Sequence, residues 1–214
     1  MMSEYILNKD YFIKVIEDLA VLAEEKKDYF SELDSAIGDG DHGMNLSIGF
    51  REVTKNLDSW KAEDISTLFK NVGTALLDKV GGASGPLYGG FFMKFGLPVK
   101  GKEEVTFDEF IEMMETGVAI IEKRGKAKVG DKTMVDTLRP AVDALKAAYV
   151  DEKLEPKEAM KKAAAVGSAG SDSTIPIIAK KGRAMRLGER AIGHRDPGSA
   201  SSTAILAIFY NNMP

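Results

Sequence analysis

The chain has 214 residues, of which 44% are hydrophobic and 29% charged, and its formal net charge is −4 at pH 7. This composition predicts one globular domain, residues 1–214, with no membrane partner, since no apolar run approaches the ~20 residues of a membrane helix. The acidic balance argues against a nucleic-acid partner, and the lack of cysteine and of a signal-peptide pattern favours a cytoplasmic location.

The predicted elements are helices from the start of the chain to its end. Apolar residues recur at helical spacing from Tyr11 to Ala23, after a candidate N-cap at Asn8 or Asp10. Stretches with the same spacing follow at about 43–57, 62–79, 85–97, 106–124, 132–149, 156–178 and 199–210. The pattern therefore predicts eight helices.

Two helix starts carry signals of their own. Residues 106–109 match a capping box, and Pro156 suits a first helical position, where a missing N–H is tolerated. No alternating strand of four or more residues is evident. We therefore expect an all-α fold, an antiparallel up-and-down bundle of helices joined by modest loops.

The glycines fall in clusters rather than evenly along the chain. They gather at 38–43, 81–90, 167–170 and 182–198, mostly at the ends of predicted helices. Because loops at one end of a bundle lie close together, these stretches can form a single site.

Residues 34–43 place three carboxylates, Asp34, Asp39 and Asp41, among glycines that permit a tight turn. Three negative charges so close repel one another and require cations, and oxygen ligands without cysteine indicate magnesium. Two magnesium ions would leave about one net positive charge to attract a phosphate chain.

Other interpretations of this loop fit its spacing less well. Gly38, Gly40 and Gly43 satisfy the dinucleotide fingerprint, but two aspartates inside it would repel pyrophosphate. A calcium loop beginning at Asp39 needs a bidentate acid at its twelfth position, which is Phe50. A polar turn without metal is the remaining alternative.

Two neighbouring features extend this candidate site. His42 suggests either a catalytic role or, as we favour, packing on a nucleotide or orienting a carboxylate. In residues 80–86, Ser84 and Gly85 fall at a predicted helix N-terminus, where free N–H groups favour an anion. Close helix packing through small residues is the alternative there.

Two distal stretches add polar residues at helix ends. Residues 130–136, with Arg139 about two turns along, could border a base or ribose, or simply be a capped helix start. The basic cluster 180–183 follows a predicted helix, where cations complement the C-terminal dipole. Arg183 would also suit a phosphoryl group in transit, because its fork binds equatorial oxygens bidentately.

Over nearly its full length the chain resembles the L subunits of bacterial dihydroxyacetone kinases. The resemblance rests on four ordered motifs, DSAIGDGDHG at 34–43, GGASGPLYG at 81–89, GDKTMVD at 130–136 and GRAMRLGERAIGHRDPG at 182–198. It implies an eight-helix antiparallel barrel that binds a nucleotide at one end.

The resemblance also implies which residues bind and act. Asp34, Asp39 and Asp41 would ligate two Mg²⁺ ions, and Arg183 would be the catalytic residue that meets the phosphoryl group. The ADP or ATP site would be lined by His42, Gly43, Met44, Asn45, Ala83, Ser84, Gly130, Arg139, Asp196, Pro197 and Gly198.

Partners are implied in the same way. In relatives of this short type, a separate K subunit binds dihydroxyacetone covalently, and an M subunit of the phosphotransferase system donates phosphate. Bound ADP is then recharged in place, whereas fused relatives use free ATP. The oligomeric state, a homodimer included, stays open.

The chain departs from the family pattern outside the metal-binding aspartates. Met185 and Arg186 stand where the family commonly has Ser-Tyr, Arg195 where glutamine is frequent, and Met44 where threonine is common. These changes leave room for another ketose or another phosphate source. Two rival functions follow, an ATP-dependent kinase domain with a different acceptor and a non-catalytic module that signals nucleotide state.

Overall fold

The computed structural model describes residues 5–214, and this part of the chain is almost entirely helical. It contains two short strands, β1 (Ile6–Asn8) and β2 (Glu104–Thr106). Its nine α-helices are α1 (Lys9–Glu25), α2 (Lys27–Ile37), α3 (His42–Trp60), α4 (Ile65–Lys79), α5 (Ser84–Phe95), α6 (Phe107–Gly125), α7 (Val135–Lys146), α8 (Pro156–Asp172) and α9 (Pro197–Asn211). The shorter helical segments are Leu97–Val99, Ala147–Asp151 and Arg183–Ala191.

The helices form a closed antiparallel barrel. From α3 to α9 each helix packs against the next, and α9 closes the ring by contacting both α1 and α2, which in turn pack on α3. Since α1 and α2 are separated only by Lys26, they share one position in the ring. The predicted eight-helix barrel is therefore confirmed, with its first helix interrupted.

The helix α2 was not predicted as a separate element. Its buried residues are only Phe30, Asp34 and Ile37, so its apolar pattern is weak. As a consequence Asp34 belongs to the last turn of a helix rather than to the loop that carries Asp39 and Asp41.

Local signals set most of the helix boundaries. The side chain of Asn8 accepts a hydrogen bond from the N–H of Tyr11 at 3.0 Å, and Thr106 with Glu109 forms the predicted capping box. The helix α8 ends at Asp172 rather than near residue 178. Pro176 lacks an N–H and its ring disfavours helical backbone before it, which accounts for the earlier end.

The only strands of the described residues are three residues long, shorter than the pattern sought in the sequence. They pair antiparallel, with Ile6 opposite Thr106 and Asn8 opposite Glu104. This pairing ties the segment before α1 to the start of α6.

The barrel encloses a core of aromatic rings. Phe12, Phe69, Phe95, Phe110 and Phe209 are fully buried, and the rings of Phe69 and Phe95 meet edge to face with centroids 4.7 Å apart. Such a core confines polar side chains to the surface and to the barrel ends. Within residues 5–214, none of the helices has both the length and the apolar character required to cross a bilayer.

Candidate functional site

A cavity of about 240 Å³ opens at one end of the barrel. Its lining comes from residues 34–42, 81–87, 121–135, 181–184 and 196–198, so it unites all four motifs noted in the sequence. The first residues of four helices, His42, Ser84, Val135 and Pro197, line it together. Because helix N-termini carry partial positive charge and free N–H groups, the cavity favours an anion.

The three predicted metal-binding aspartates meet at this cavity. Each of Asp34, Asp39 and Asp41 offers one carboxylate oxygen, and these oxygens lie within 4.8 Å of one another. Asp34 is only 9% exposed, and its Oδ2 accepts hydrogen bonds from the N–H of Asp41 at 3.0 Å and of His42 at 3.3 Å. Hard oxygen donors at this spacing fit magnesium, which coordinates oxygens at roughly 2.1 Å.

Glycines are required in two positions of the loop that follows α2. A Cβ atom on Gly38 would lie 2.1 Å from Oδ1 of Asp34, and Gly40 has a φ of +78°, which side chains rarely adopt. The glycines of this motif therefore let the backbone pass close to the carboxylates.

Arg183 lies against the acid cluster. Its Nη1 forms an ion pair with Asp39 and lies 3.9 Å from Oδ2 of Asp41. A Cβ on Gly82 would lie 3.7 Å from Nη2. The guanidinium therefore also lies beside residues 81–84, which we call the glycine loop before α5. Arg183 thus stands between the acid cluster and the glycine loop, where a phosphate chain would be held.

The ring of His42 is buried and bonds to hydroxyl groups rather than to a carboxylate. Nδ1 lies 3.0 Å from Oγ of Ser84, and Nε2 lies 2.9 Å from Oγ of Ser201. Burial lowers the pKa of His42 to about 4, so the imidazole is neutral at pH 7. The ring orients the Ser84 hydroxyl at the N-terminus of α5.

The glycine loop before α5 fits both of its sequence interpretations. A Cβ on Gly85 would lie 2.2 Å from the carbonyl oxygen of Val80, which shows close packing. Gly81, Gly82, Ala83 and Ser84 nevertheless line the cavity. Because Gly85 packs closely on Val80, the backbone of residues 81–84 lies at the cavity, where it can approach an anion.

One side of the cavity is apolar. It is formed by Leu87 of α5, Ile121 and Gly125 of α6, and Ala127 and Met134 from the connection to α7. We call these five residues the apolar wall. Of these five, only Met134 belongs to a stretch, 130–136, that the sequence places near a base or ribose. The apolar spacing of the other residues is indistinguishable from that of core residues.

The start of α9 supplies a half-buried acid. Asp196, Pro197 and Gly198 all line the cavity, as the resemblance implies, and Oδ2 of Asp196 caps α9 by accepting from the N–H of Ser199 at 2.6 Å. Burial, together with the carboxylates of Asp136 and Asp34, raises the pKa of Asp196 to about 7.

Three of the expected nucleotide-binding residues lie beside the cavity without lining it. Gly43 packs on α2, where a Cβ would lie 1.9 Å from the carbonyl oxygen of Lys27. Met44 is 43% exposed, and the side chain of Asn45 lies next to the backbone of Gly81. Of the three, only Asn45 contacts the glycine stretch before α5.

The structure does not bring Arg139 or Gly130 to the cavity. The guanidinium of Arg139 is held by Glu115 and Glu122 of α6 at 2.9 and 2.7 Å, and by Asp143 at 3.2 Å. Because three carboxylates engage it, this side chain is committed to joining α6 to α7. Gly130 donates its N–H to Asp136 at 2.6 Å, and Gly125 and Met134 line the cavity in their place.

The connection before α7 combines its two sequence interpretations. Oδ2 of Asp136 accepts from the N–H of Thr133 at 2.8 Å, as in a capped helix start, while Lys132 and Thr133 line the cavity. The cluster 180–183 does not follow a helix directly, since α8 ends at Asp172. Lys132, from the stretch expected to border a base or ribose, places its ammonium group just after that helix end instead.

Comparisons with known proteins agree with this geometry. Residues 36–211 match the family model described as DAK2 domain. The chain is 52% identical over 214 residues to a Listeria innocua protein named PEP-dependent dihydroxyacetone kinase 2, ADP-binding subunit DhaL, with 99% of this chain and 98% of that protein covered. It is 40% identical over 176 residues to the Escherichia coli PEP-dependent dihydroxyacetone kinase, ADP-binding subunit DhaL, with coverages of 82% and 83%.

A solved structure shares the fold. The chain superposes with a TM-score of 0.71 and 25% identity on the dihydroxyacetone kinase from C. freundii in complex with AMP-PNP and Mg²⁺. The match covers 93% of this chain and 33% of that one. This chain therefore spans about a third of the longer enzyme.

Proposed function

This chain belongs to the DAK2 domain family, and we propose that it is the nucleotide-binding subunit of a dihydroxyacetone kinase. In this proposal it holds ADP with two magnesium ions and relays a phosphoryl group from a phosphotransferase-system partner to dihydroxyacetone on a separate subunit. One observation carries the proposal, namely that an acid cluster and four helix N-termini face the same cavity. An acid cluster repels phosphate unless cations complete it, whereas helix N-termini attract phosphate directly.

The acidic side of the cavity suits a polyphosphate. Asp34, Asp39 and Asp41 would hold the magnesium ions, whose charge offsets that of the phosphates. The backbone of residues 81–84 and the hydroxyl of Ser84, fixed by His42, would donate hydrogen bonds to phosphate oxygens.

The apolar wall suits a purine base. Leu87 and Ile121 present aliphatic surface, and Gly125 has room beside it, since a Cβ there would still lie 3.7 Å from Leu87 Cδ2. Met134 lines the same side, with its Cβ 3.5 Å from where a Cβ on Gly198 would lie. A flat, weakly polar ring gains from burial against such groups, and a pocket of mostly apolar lining with a few polar groups is typical of ligand sites.

Arg183 suits the transferred group rather than the resting nucleotide. Its side chain is about half exposed and lies at the cavity mouth beside Asp39. A guanidinium placed there can follow the equatorial oxygens of a phosphoryl group as charge develops on them. We therefore assign Arg183 to transfer, with donor and acceptor brought by partner subunits.

Native mass spectrometry of freshly purified protein tests the proposal. We expect a retained mass of one ADP and two magnesium ions, and phosphoenolpyruvate-dependent transfer once the donor proteins and the dihydroxyacetone-binding subunit are added. The same spectrum gives the oligomeric state. A protein that binds no adenine nucleotide, with or without magnesium, would contradict the proposal.

A second candidate is an ATP-consuming kinase domain for another ketose or a carrier-bound acceptor. The AMP-PNP complex of the C. freundii structure favours it, because that ligand is an ATP analogue. Repeated turnover on added ATP alone, with rapid nucleotide exchange, would select this candidate. Slow exchange with dependence on phosphoenolpyruvate would select the first.

A further inference from the structure

We propose that Lys132 is a positioning residue, whose ammonium group ties two distant loops to the start of α7 and so shapes the nucleotide cavity. The inference rests on the proposed nucleotide-binding function and deepens it. Lys132 lines the cavity but is only 1% exposed, so it acts through the backbone it holds rather than through a ligand.

The ammonium group of Lys132 is surrounded by backbone carbonyl oxygens. Its Nζ donates to the oxygen of Thr174 at 2.5 Å and of His194 at 2.6 Å, and lies 3.5 Å from that of Ile175. Three acceptors match the three donors of an ammonium group. Lys132 thereby joins segments that are 42 and 62 residues away along the chain.

The backbone of Lys132 is held in a conformation that a side chain rarely adopts. Its φ is +63°, in the left-handed region. Such a conformation costs roughly 1 kcal/mol or more and persists only where surrounding contacts enforce it. The N–H of Lys180 donates to the carbonyl of the neighbouring Asp131 at 3.0 Å, which adds one of those contacts.

A cation is well placed at this point of the fold. Thr174 and Ile175 follow the C-terminus of α8, where the helix dipole favours a positive charge. Asp136 and Asp196 favour the charged form of Lys132, although burial outweighs them and lowers its pKa. The ammonium thus complements the dipole of α8 and the charges of Asp136 and Asp196.

The two loops held by Lys132 each lead into the cavity. Oγ1 of Thr174 accepts from the N–H of Asp196 at 3.1 Å, and the carbonyl of Ile175 accepts from the N–H of Gly193 at 2.8 Å. The first contact fixes Asp196 at the start of α9, and the chain from Ile175 continues to Arg183. Loss of the ammonium would release both, while Asp34 on α2 and the aspartates of the loop before α3 stay in place.

The direct test is Lys132→Met, with Lys128→Met as the matched control. Lys128 is exposed, belongs to the same connection and does not line the cavity, so the control makes the same charge change. We expect the dissociation constant for MgADP, measured by calorimetry, to rise roughly 10–100-fold in Lys132→Met, as for other groups that orient a binding site. The control should bind as the wild type does.

Hydrogen exchange separates positioning from general stability. In Lys132→Met we expect faster amide exchange in residues 174–196, with exchange in α1, α4 and α5 unchanged. An affinity equal to that of the wild type would overturn the inference. So would exchange accelerated evenly along the chain, because it would make Lys132 a contributor to stability alone.

A chemical rescue tests whether the positive charge of the Lys132 side chain is required. The chain has no cysteine, so Lys132→Cys carries a single thiol. Aminoethylation of the unfolded variant restores an ammonium at nearly the original length, whereas carbamidomethylation leaves a neutral group. After refolding, the first product should regain MgADP affinity at least about tenfold over the second, and equal affinities would overturn the inference. Wild-type protein that binds no MgADP would instead refute the proposed function.

Discussion

The acidic side and the apolar wall of the cavity differ in how the chain builds them. Asp34, Asp39 and Asp41 lie within eight residues and are brought together by one helix end and one turn. Leu87, Ile121 and Met134 come from three regions of the barrel and meet only when the helices pack. The acid cluster is therefore local in sequence, whereas the apolar wall exists only once the helices pack.

If this division holds, substitutions on the two sides should have separable effects. Those on the acidic side should act through metal and phosphate, and those in the apolar wall through the base.

The largest effect is expected for Arg183→Ala. Phosphoryl transfer in the reconstituted system should fall roughly 10³-fold, because an arginine that stabilises the transferring group contributes this much in related chemistry. Affinity for MgADP should change only a few-fold. Arg190→Ala, an exposed position of the same segment, is the control. Equal losses in both variants would remove the catalytic role of Arg183.

A loss of about 100-fold in MgADP affinity is expected for Asp39→Asn, because it removes a charged oxygen ligand without touching the hydrogen bonds made by Asp34. Calorimetry with MgADP and with adenosine measures it. Adenosine binding should not change, since adenosine lacks phosphate. Asp78→Asn, on the exposed face of α4, makes the same charge change and should be neutral. A parallel loss for adenosine would break the division between the two sides.

For Met134→Ala we expect a smaller loss of affinity, and one that depends on the base rather than on the phosphates. The loss of apolar contact should weaken ADP binding roughly tenfold, equivalent to about 1.4 kcal/mol. Binding of magnesium pyrophosphate, which has no base, should be unaffected. Met185→Ala, where the side chain is 55% exposed, is the control. Weaker pyrophosphate binding in Met134→Ala would show that the two sides are coupled.

A gradual effect, about 1 kcal/mol for each pH unit, is expected from the half-buried acid at the start of α9. Asp196 has a folded-state pKa of about 7, above its unfolded value near 4, so the folded protein binds more protons between these pH values. Its contribution to stability is therefore present at low pH and lost as the pH rises through about 7. Relative to Asp196→Asn, the wild type should lose about 1 kcal/mol of unfolding free energy per pH unit over this range.

Urea unfolding at pH 5, 6, 7 and 8 measures this difference. Asparagine also caps helices well, so the cap of α9 is retained in the variant. His42 contributes a pH dependence of the opposite sign. Because its pKa is lowered in the folded protein, the free energy of unfolding falls as the pH drops below about 6.5. Wild type and Asp196→Asn with parallel pH dependence would show that Asp196 titrates normally.

Much of the fold was predictable because its signals are local. Helical spacing and the caps at Asn8 and Thr106 gave the all-α class and most helix positions correctly. The helix α2 escaped prediction because one of its three buried residues, Asp34, is charged. The helix α8 ends earlier than the apolar spacing predicts, because Pro176 disfavours helical backbone before it.

The acid cluster and the glycines that surround it follow from the sequence alone, since charge repulsion and positive φ act between neighbours in the chain. Arg183 is distant in sequence and reaches this cluster only through packing. Tertiary structure alone decided that Arg139 is engaged by Glu115 and Glu122, and that Met134 lines the cavity. It also decided that Lys132 is buried and that Asp196 is half-buried among groups that raise its pKa. Burial depends on which helices pack against each other in the barrel, and the spacing of residues within one helix does not specify its neighbour.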